Sequence, residues 1–131
     1  MADRSLDWLN QAKRDYEKAK LDFEYSYYEW CSFTAQQAAE KAVKALYYRM
    51  NKLIFGHSIV KMLEGLKEEL DIPEEMMHSA RILDRYYKES RYPNGFPDGS
   101  PFQFFDEHIA REALDASGEI LRFCEDNLNR I

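Results

Sequence analysis

The segment from residue 26 to residue 50 limits the possible fold most, because it contains neither glycine nor proline. Small side chains recur along it at the spacing of one helical face. Small side chains let a neighbouring helix approach closely, so we predict a long central helix within a helical bundle. Ser26 and Glu29 match a capping-box pattern, which predicts a helix start there and an end near Met50. The small residues are Cys31, Ala35, Ala38, Ala42 and Ala45.

The rest of the chain has the same helical period. It predicts a first helix from Ser5 to Glu24, a third capped by Ser58, and a fourth that begins around Pro73. Residues 90–101 hold three of the four prolines and two of the five glycines, which predicts a loop. Ser100, Pro101 and Gln103 then form the start signal of the last helix.

No segment alternates apolar and polar residues with the period of a strand. We therefore predict one all-α domain over residues 1–131. Short connections place sequential helices side by side, so its architecture should be an antiparallel up-and-down bundle of four to five helices. The first, second and last helices should be the longest.

Composition and cysteine spacing narrow the class of protein. The chain is 45% hydrophobic and 32% charged, which is typical of a globular domain. It has no apolar run of about 18 residues and no basic-then-apolar leader, so we expect a cytoplasmic protein without membrane contact. Neither the cysteines nor the histidines have metal-ligand spacing, so we expect no metal and no cofactor. These residues are Cys31, Cys124, His57, His78 and His108.

The net charge of −6 argues against broad, non-specific binding of DNA or other nucleic acid. Residues 26–56 differ from the rest, since they carry four basic and two acidic side chains. An anion site should therefore involve this segment, with Lys88 and Arg91 nearby.

Aromatic residues occur in adjacent pairs along the helices. Neighbours on a helix point about 100° apart, so both members rarely face one core. One ring of a pair can therefore lie at a flank, where it packs against a second subunit, stacks on a base or stays half-exposed. The pairs are Tyr27-Tyr28, Tyr47-Tyr48, Tyr86-Tyr87 and Phe104-Phe105.

The stretch from Phe33 to Leu46 resembles the signature helix of HEPN domains. Three further pieces follow the order of that family: Trp8, Gly56-His57-Ser58 and Ser90-Arg91-Tyr92-Pro93. The resemblance implies an up-and-down bundle that commonly forms a homodimer. It also implies one of three roles: the partner of a small nucleotidyltransferase in a two-gene, toxin–antitoxin-like system, a nucleotide- or RNA-binding module, or a metal-independent ribonuclease.

The sequence departs from the nuclease members of that family. Those members carry an arginine followed, after four to six residues, by a histidine near the start of the last helix. Here the first histidine after Arg91 is His108, seventeen positions later, and Arg49 and His57 have seven residues between them. Such a reaction needs a histidine to move a proton while an arginine holds a phosphate. The sequence therefore favours a non-nuclease or a much-altered member.

Arg91 is the best single candidate for a phosphate contact. It lies in a proline-bracketed loop that can expose a guanidinium for bidentate binding. The alternative is that Arg91 pairs with an acidic neighbour or caps the preceding helix. Tyr92 beside it can stack on a base or lie buried under the loop.

A polar face of the central helix supplies the other candidates. Lys41 and Lys44 lie three residues apart, and Gln37 and Glu40 share their face. This face either meets a ligand or is an ordinary solvated surface. His57, at a helix start, either donates to a phosphate or holds the turn.

Three functions follow from these residues. The first is a nucleotide- or RNA-phosphate-binding interaction module, the second an RNase toxin that uses Arg91 with His57 or Glu40, and the third a structural dimer with a decayed pocket. The first two require the basic helix face and the Arg91 turn to meet in one water-accessible anion pocket.

Overall fold

A computed structural model describes residues 3–131. Within this range it contains six α-helices and no strand, which confirms the predicted all-α bundle. No helix in the described range is long and apolar enough to cross a membrane. The helices are α1 (Ser5–Glu24), α2 (Tyr28–Arg49), α3 (Ile59–Glu64), α4 (Glu74–Glu89), α5 (Pro101–Phe104) and α6 (Glu107–Arg130).

Helix α2 is the centre of the bundle, as its small residues predict. It packs against α1, α6, α4 and α3. All five side chains of its small-residue face are fully buried, which is what allows these neighbours to approach closely. The longest helices are α1, α2 and α6, again as predicted.

The start of α2 differs from the prediction. Ser26 makes no capping hydrogen bond and has a positive φ of 67°. Its amide instead donates to the carbonyl of Phe23 at 3.1 Å, while the amide of Tyr27 donates to the carbonyl of Asp22 at 2.8 Å. These two bonds form a Schellman motif, so Ser26 ends α1 and does not begin α2.

The last helix is also divided where the sequence predicts one continuous helix. The Ser100–Gln103 capping box is present, but α5 ends after four residues. A new start follows, in which the Asp106 carboxylate accepts from the amide of Ile109 at 2.9 Å. This second cap satisfies the first turn of α6 and allows the chain to turn between the two helices.

The connection from α2 to α3 is fixed at both ends. At its start Asn51 adopts a positive φ of 56°, and the amide of Lys52 donates to the Tyr47 carbonyl at 2.9 Å. At its end Ser58 caps α3 as predicted, accepting from the amide of Lys61 at 3.2 Å. These two anchors determine where His57, the residue before the cap, lies over α2.

Candidate functional site

Arg91 follows the C-terminal end of α4 and lies against three aromatic rings. Its guanidinium carbon is 4.2 Å from the ring centroid of Phe33 and 4.9 Å from those of Tyr87 and Tyr92. Its Nε donates to the carbonyl of Tyr87 at 3.3 Å, so it also caps the end of α4. No carboxylate among residues 3–131 lies within salt-bridge distance of Arg91. The two terminal nitrogens are thus available for an external anion.

His57 lies above α2 and is oriented by a buried carboxylate. Its Nδ1 is 3.1 Å from Oε1 of Glu40, a side chain that is only 5% exposed. The side-chain amide of Gln36 donates to the His57 carbonyl at 2.9 Å and fixes the backbone as well. The imidazole is 55% exposed, so its other nitrogen lies on the solvent side of the pair.

Glu40 holds a polar network beneath the surface. Lys44 donates to its Oε2 at 3.1 Å, so the buried negative charge has a cationic partner. The amide groups of Gln36 and Gln37 lie 3.5 Å from its Oε1, and Gln37 also donates to Gln36 at 2.8 Å. A buried carboxylate that accepts from several donors holds its side chain and theirs in one arrangement.

Tyr87 joins the arginine and histidine parts of the site. Its ring stacks on the His57 imidazole with centroids 4.7 Å apart and an interplanar angle of 16°. The same ring lies beside the Arg91 guanidinium. We call Phe33, Glu40, His57, Tyr87 and Arg91 the Arg91 cluster.

Sequence reasoning did not identify Phe33 and Tyr87 as site residues, Tyr87 because it continues the apolar stripe of α4. One signal was available for Tyr87. It is the second member of a pair whose first member, Tyr86, is buried, so Tyr87 has to point about 100° away from that core face.

The predicted site residues do not all belong to the Arg91 cluster. Lys44 contacts the cluster through Glu40, and Tyr92 contacts Arg91 directly. Lys41 turns the other way and pairs with Asp15 of α1. Of the two lysines, only Lys44 is therefore linked to the Arg91 cluster.

The start of α3 is occupied by a side chain of the protein. The Asp84 carboxylate accepts from the amides of Ile59 and Val60 at 2.9 Å and 3.0 Å, and from the Ser58 hydroxyl at 2.9 Å. A helix start binds anions through these amides, so Asp84 takes the place that a phosphate would need. Recognition of an external anion here depends on side chains, above all on Arg91.

The two cysteines and the three histidines bear on whether the chain has a reactive thiol or a metal site. Burial raises the pKa of Cys31 to about 12 and raises that of Cys124 as well, so both stay protonated and unreactive at neutral pH. Within residues 3–131 no three histidine, cysteine or carboxylate side chains are close enough together to hold a metal ion.

Comparisons with known proteins agree on one family. The HEPN domain family profile matches residues 5–127. A crystal structure of a protein from Thermus thermophilus is similar to the chain with a TM-score of 0.93 and 38% identity, covering 95% of this chain and 98% of that one. No curated protein sequence gives a significant match.

Two further crystal structures are similar over nearly the whole length. An archaeal HEPN homologue has a TM-score of 0.82 and 34% identity, covering 96% of this chain and 98% of that one. A HEPN domain protein from Thermotoga maritima has a TM-score of 0.80 and 39% identity, covering 95% and 99% respectively.

Proposed function

The chain belongs to the HEPN domain family, and we propose that it is a nucleotide- or RNA-phosphate-binding interaction module. In this proposal it acts as a homodimer and as the partner of a small nucleotidyltransferase. The observation that supports phosphate binding best is the environment of Arg91: aromatic rings on its sides and no carboxylate among the described residues near its terminal nitrogens.

The chemistry of the cluster suits a phosphate attached to a base. A guanidinium presents parallel N–H groups that match two phosphate oxygens, and its planar shape allows it to stack on rings at the same time. Phe33 and Tyr87 hold Arg91 in place, so little side-chain freedom is left to lose on binding. Tyr92, which is 53% exposed, offers a ring on which a base can stack beside the phosphate.

His57 extends the site toward α2. Glu40 accepts at Nδ1, which leaves Nε2 directed away from the buried network. This nitrogen can contact a second oxygen of the same ligand, because Tyr87 holds the imidazole and the guanidinium against one ring. The ligand that fits has a phosphate at Arg91 and a further polar group near His57.

Calorimetric titration with AMP, ATP and a short RNA tests the proposal. Arg91→Ala should weaken binding about 10- to 150-fold, since a hydrogen-bonded charged group contributes roughly 1.5–3 kcal/mol. Arg91→Lys should restore only part of the affinity, because an ammonium lacks the planar pair of donors. Arg85→Ala is the matched control, as Arg85 also lies beside a tyrosine ring but outside the cluster. Equal affinity of Arg91→Ala and the control would refute the assignment of Arg91.

The exposed aromatic rings support the interaction part of the proposal. Trp30 is 46% exposed, and Tyr27, which directly precedes α2, is 58% exposed. Large exposed rings are common at protein interfaces. Sedimentation velocity should find a dimer at micromolar concentration, and Trp30→Ser with Tyr27→Ser should shift it toward monomer. Co-expression with the nucleotidyltransferase of a neighbouring gene, where one exists, should give a complex that co-purifies. A protein that sediments as a monomer and co-purifies with no nucleotidyltransferase would contradict this part of the proposal.

The Glu40–His57 pair supports a second candidate, a ribonuclease that uses His57 as its proton carrier. A carboxylate on Nδ1 orients a histidine and leaves Nε2 free for proton transfer. Purified protein incubated with total RNA should then cleave it without added metal. His57→Ala and Arg91→Ala should each abolish cleavage, whereas His78→Ala, on α4 outside the cluster, should not. Cleavage that survives both cluster variants would exclude this mechanism.

A further inference from the structure

A second aromatic cleft lies at the other end of α2 from Phe33. Trp8 of α1 and Tyr48 of α2 stack with centroids 5.1 Å apart and an interplanar angle of 18°. They border a cleft of about 400 Å³, a volume in the range of small-ligand sites. The remaining lining residues are Arg4, Asp7, Gln11 and Lys41.

The charges around this cleft cancel one another. Arg4 pairs with Asp7 at 2.6 Å, and Lys41 pairs with Asp15. Lys44, whose ammonium lies 5.8 Å from the Trp8 ring centroid, is the partner of Glu40. A cleft with aromatic faces whose lining cations are all paired suits an uncharged planar ring better than a phosphate. A nucleobase is such a ring, and stacking on aromatic side chains tolerates any base.

The two aromatic regions lie along one strip of α2. Between Phe33 and Tyr48, the residues of α2 that stay accessible include Gln37, Lys41 and Lys44, bordered by α1 on one side and by His57 and α4 on the other. Phe33 is 11 residues before Lys44 and 15 before Tyr48. At 1.5 Å of rise per residue the two regions are therefore about 16–22 Å apart.

We propose that Trp8 and Tyr48 form a base-stacking subsite, so that the ligand is a short single strand of RNA and not a mononucleotide. The proposal rests on the proposed function, in which Arg91 binds a phosphate. A separation of about 16–22 Å corresponds to on the order of three to six nucleotides, given about 3.4 Å per stacked nucleotide and more when the strand is extended. One end of the strand contacts Arg91, and a base several nucleotides away stacks against Tyr48.

The chain contains only two tryptophans, and each reports on one end of this strip. Trp8 belongs to the second cleft. Trp30 lies at the Arg91 end, where its ring centroid is 6.2 Å from that of Phe33. Trp30→Phe and Trp8→Phe therefore give single-tryptophan proteins for the two ends. We would titrate each with AMP and with oligoadenylates of two, four, six and eight nucleotides.

All ligands should change the fluorescence of Trp30, but only the longer oligonucleotides should change that of Trp8. Affinity should rise about 5- to 150-fold at the length where Trp8 first responds, the gain expected from one stacked base. Tyr48→Ala should remove this gain and leave AMP binding unchanged. Tyr48→Phe, which keeps the ring, should retain it. Tyr25→Ala, at an exposed tyrosine that lines neither cleft, is the control.

The salt dependence of binding is an independent measurement on the unmodified chain. One or two phosphate contacts predict a slope of about −0.7 to −1.4 for log K against log salt. A much steeper slope would mean contacts along the whole backbone and would overturn the stacking mechanism. The stacking mechanism would also be overturned if affinity did not change with oligonucleotide length and the fluorescence of Trp8 did not respond. That result would still leave Arg91 as a phosphate site. Failure of every ligand to bind would instead refute the proposed function itself.

Discussion

Replacing Glu40 with leucine tests whether its buried network determines the position of His57. The substitution removes the carboxylate that accepts from Lys44 and contacts His57, both at 3.1 Å. The side-chain amides of Gln36 and Gln37 lose the same acceptor. Breaking one partner of a buried pair costs about 3–5 kcal/mol. Lys44 is 13% exposed and can reach water by extending its side chain, which lowers the expected loss to roughly 2–4 kcal/mol.

Urea denaturation followed by circular dichroism measures this loss. With a slope of about 2 kcal/mol per molar, the midpoint of Glu40→Leu should fall by about 1–2 M. Glu40→Gln, which keeps the shape and one acceptor oxygen, should lose less. The double variant Glu40→Leu with Lys44→Met should recover at least half of the loss, because an apolar pair leaves no unpaired ammonium.

Two results would refute this reasoning. A loss under about 0.5 kcal/mol for Glu40→Leu would mean that its partners find water at no cost. Additive losses in the double variant would mean that Glu40 and Lys44 do not depend on each other. A stable Glu40→Leu protein with weakened AMP binding would then assign Glu40 to the ligand site alone.

Three further predictions concern the packing around the site. Gly65→Ala should lower the free energy of unfolding by about 1–3 kcal/mol, because the new Cβ would meet the Tyr47 hydroxyl, and Tyr47→Phe in the same chain should relieve most of the loss in thermal denaturation. Asp84→Ala should cost about 1–2 kcal/mol, since two amides at the start of α3 lose their acceptor; an unchanged urea midpoint would contradict this. Cys31 and Cys124 should not react with Ellman's reagent at pH 8, because burial raises the pKa of both thiols, and should react once urea unfolds the chain; labelling of the native protein would disprove it.

The helical core was predictable because small residues at helical spacing carry both the period and the packing distance. The helix ends were less predictable. Ser26 and Glu29 fit a capping box, yet only three residues separate α1 from α2, so the same serine can serve either end. Its positive φ assigns it to α1. The packing of the two helices decides between these ends, and no local pattern contains that information.

The composition of the site was less predictable than its location. Helical spacing placed Lys41 and Lys44 on one face, but it could not say that Lys41 pairs with another helix while Lys44 pairs within its own. Asp15 of α1 takes Lys41, whereas Glu40 of α2 takes Lys44. The role of Tyr87 could not be predicted either, because it depends on a contact with His57, which lies thirty positions earlier in the chain.

The sequence and the fold place the cation that is available to a ligand in different parts of the molecule. The basic excess of residues 26–56 predicts a positive surface, but each of its four cations has a carboxylate partner. These pairs are Lys41–Asp15, Lys44–Glu40, Arg49–Asp3 and Lys52–Glu69.

Arg91 comes from a part of the chain with more acidic than basic residues, yet none of the described carboxylates is its partner. Attraction at contact distance depends on whether a charge is already paired, because the field of a close ion pair falls off steeply and is screened by salt. A ligand phosphate should therefore choose Arg91 over the lysine-rich segment. For the same reason Lys41→Gln and Lys52→Gln should leave AMP affinity within about twofold, while Arg91→Gln should weaken it about 10- to 150-fold. Equal losses in all three variants would show that net charge alone directs binding.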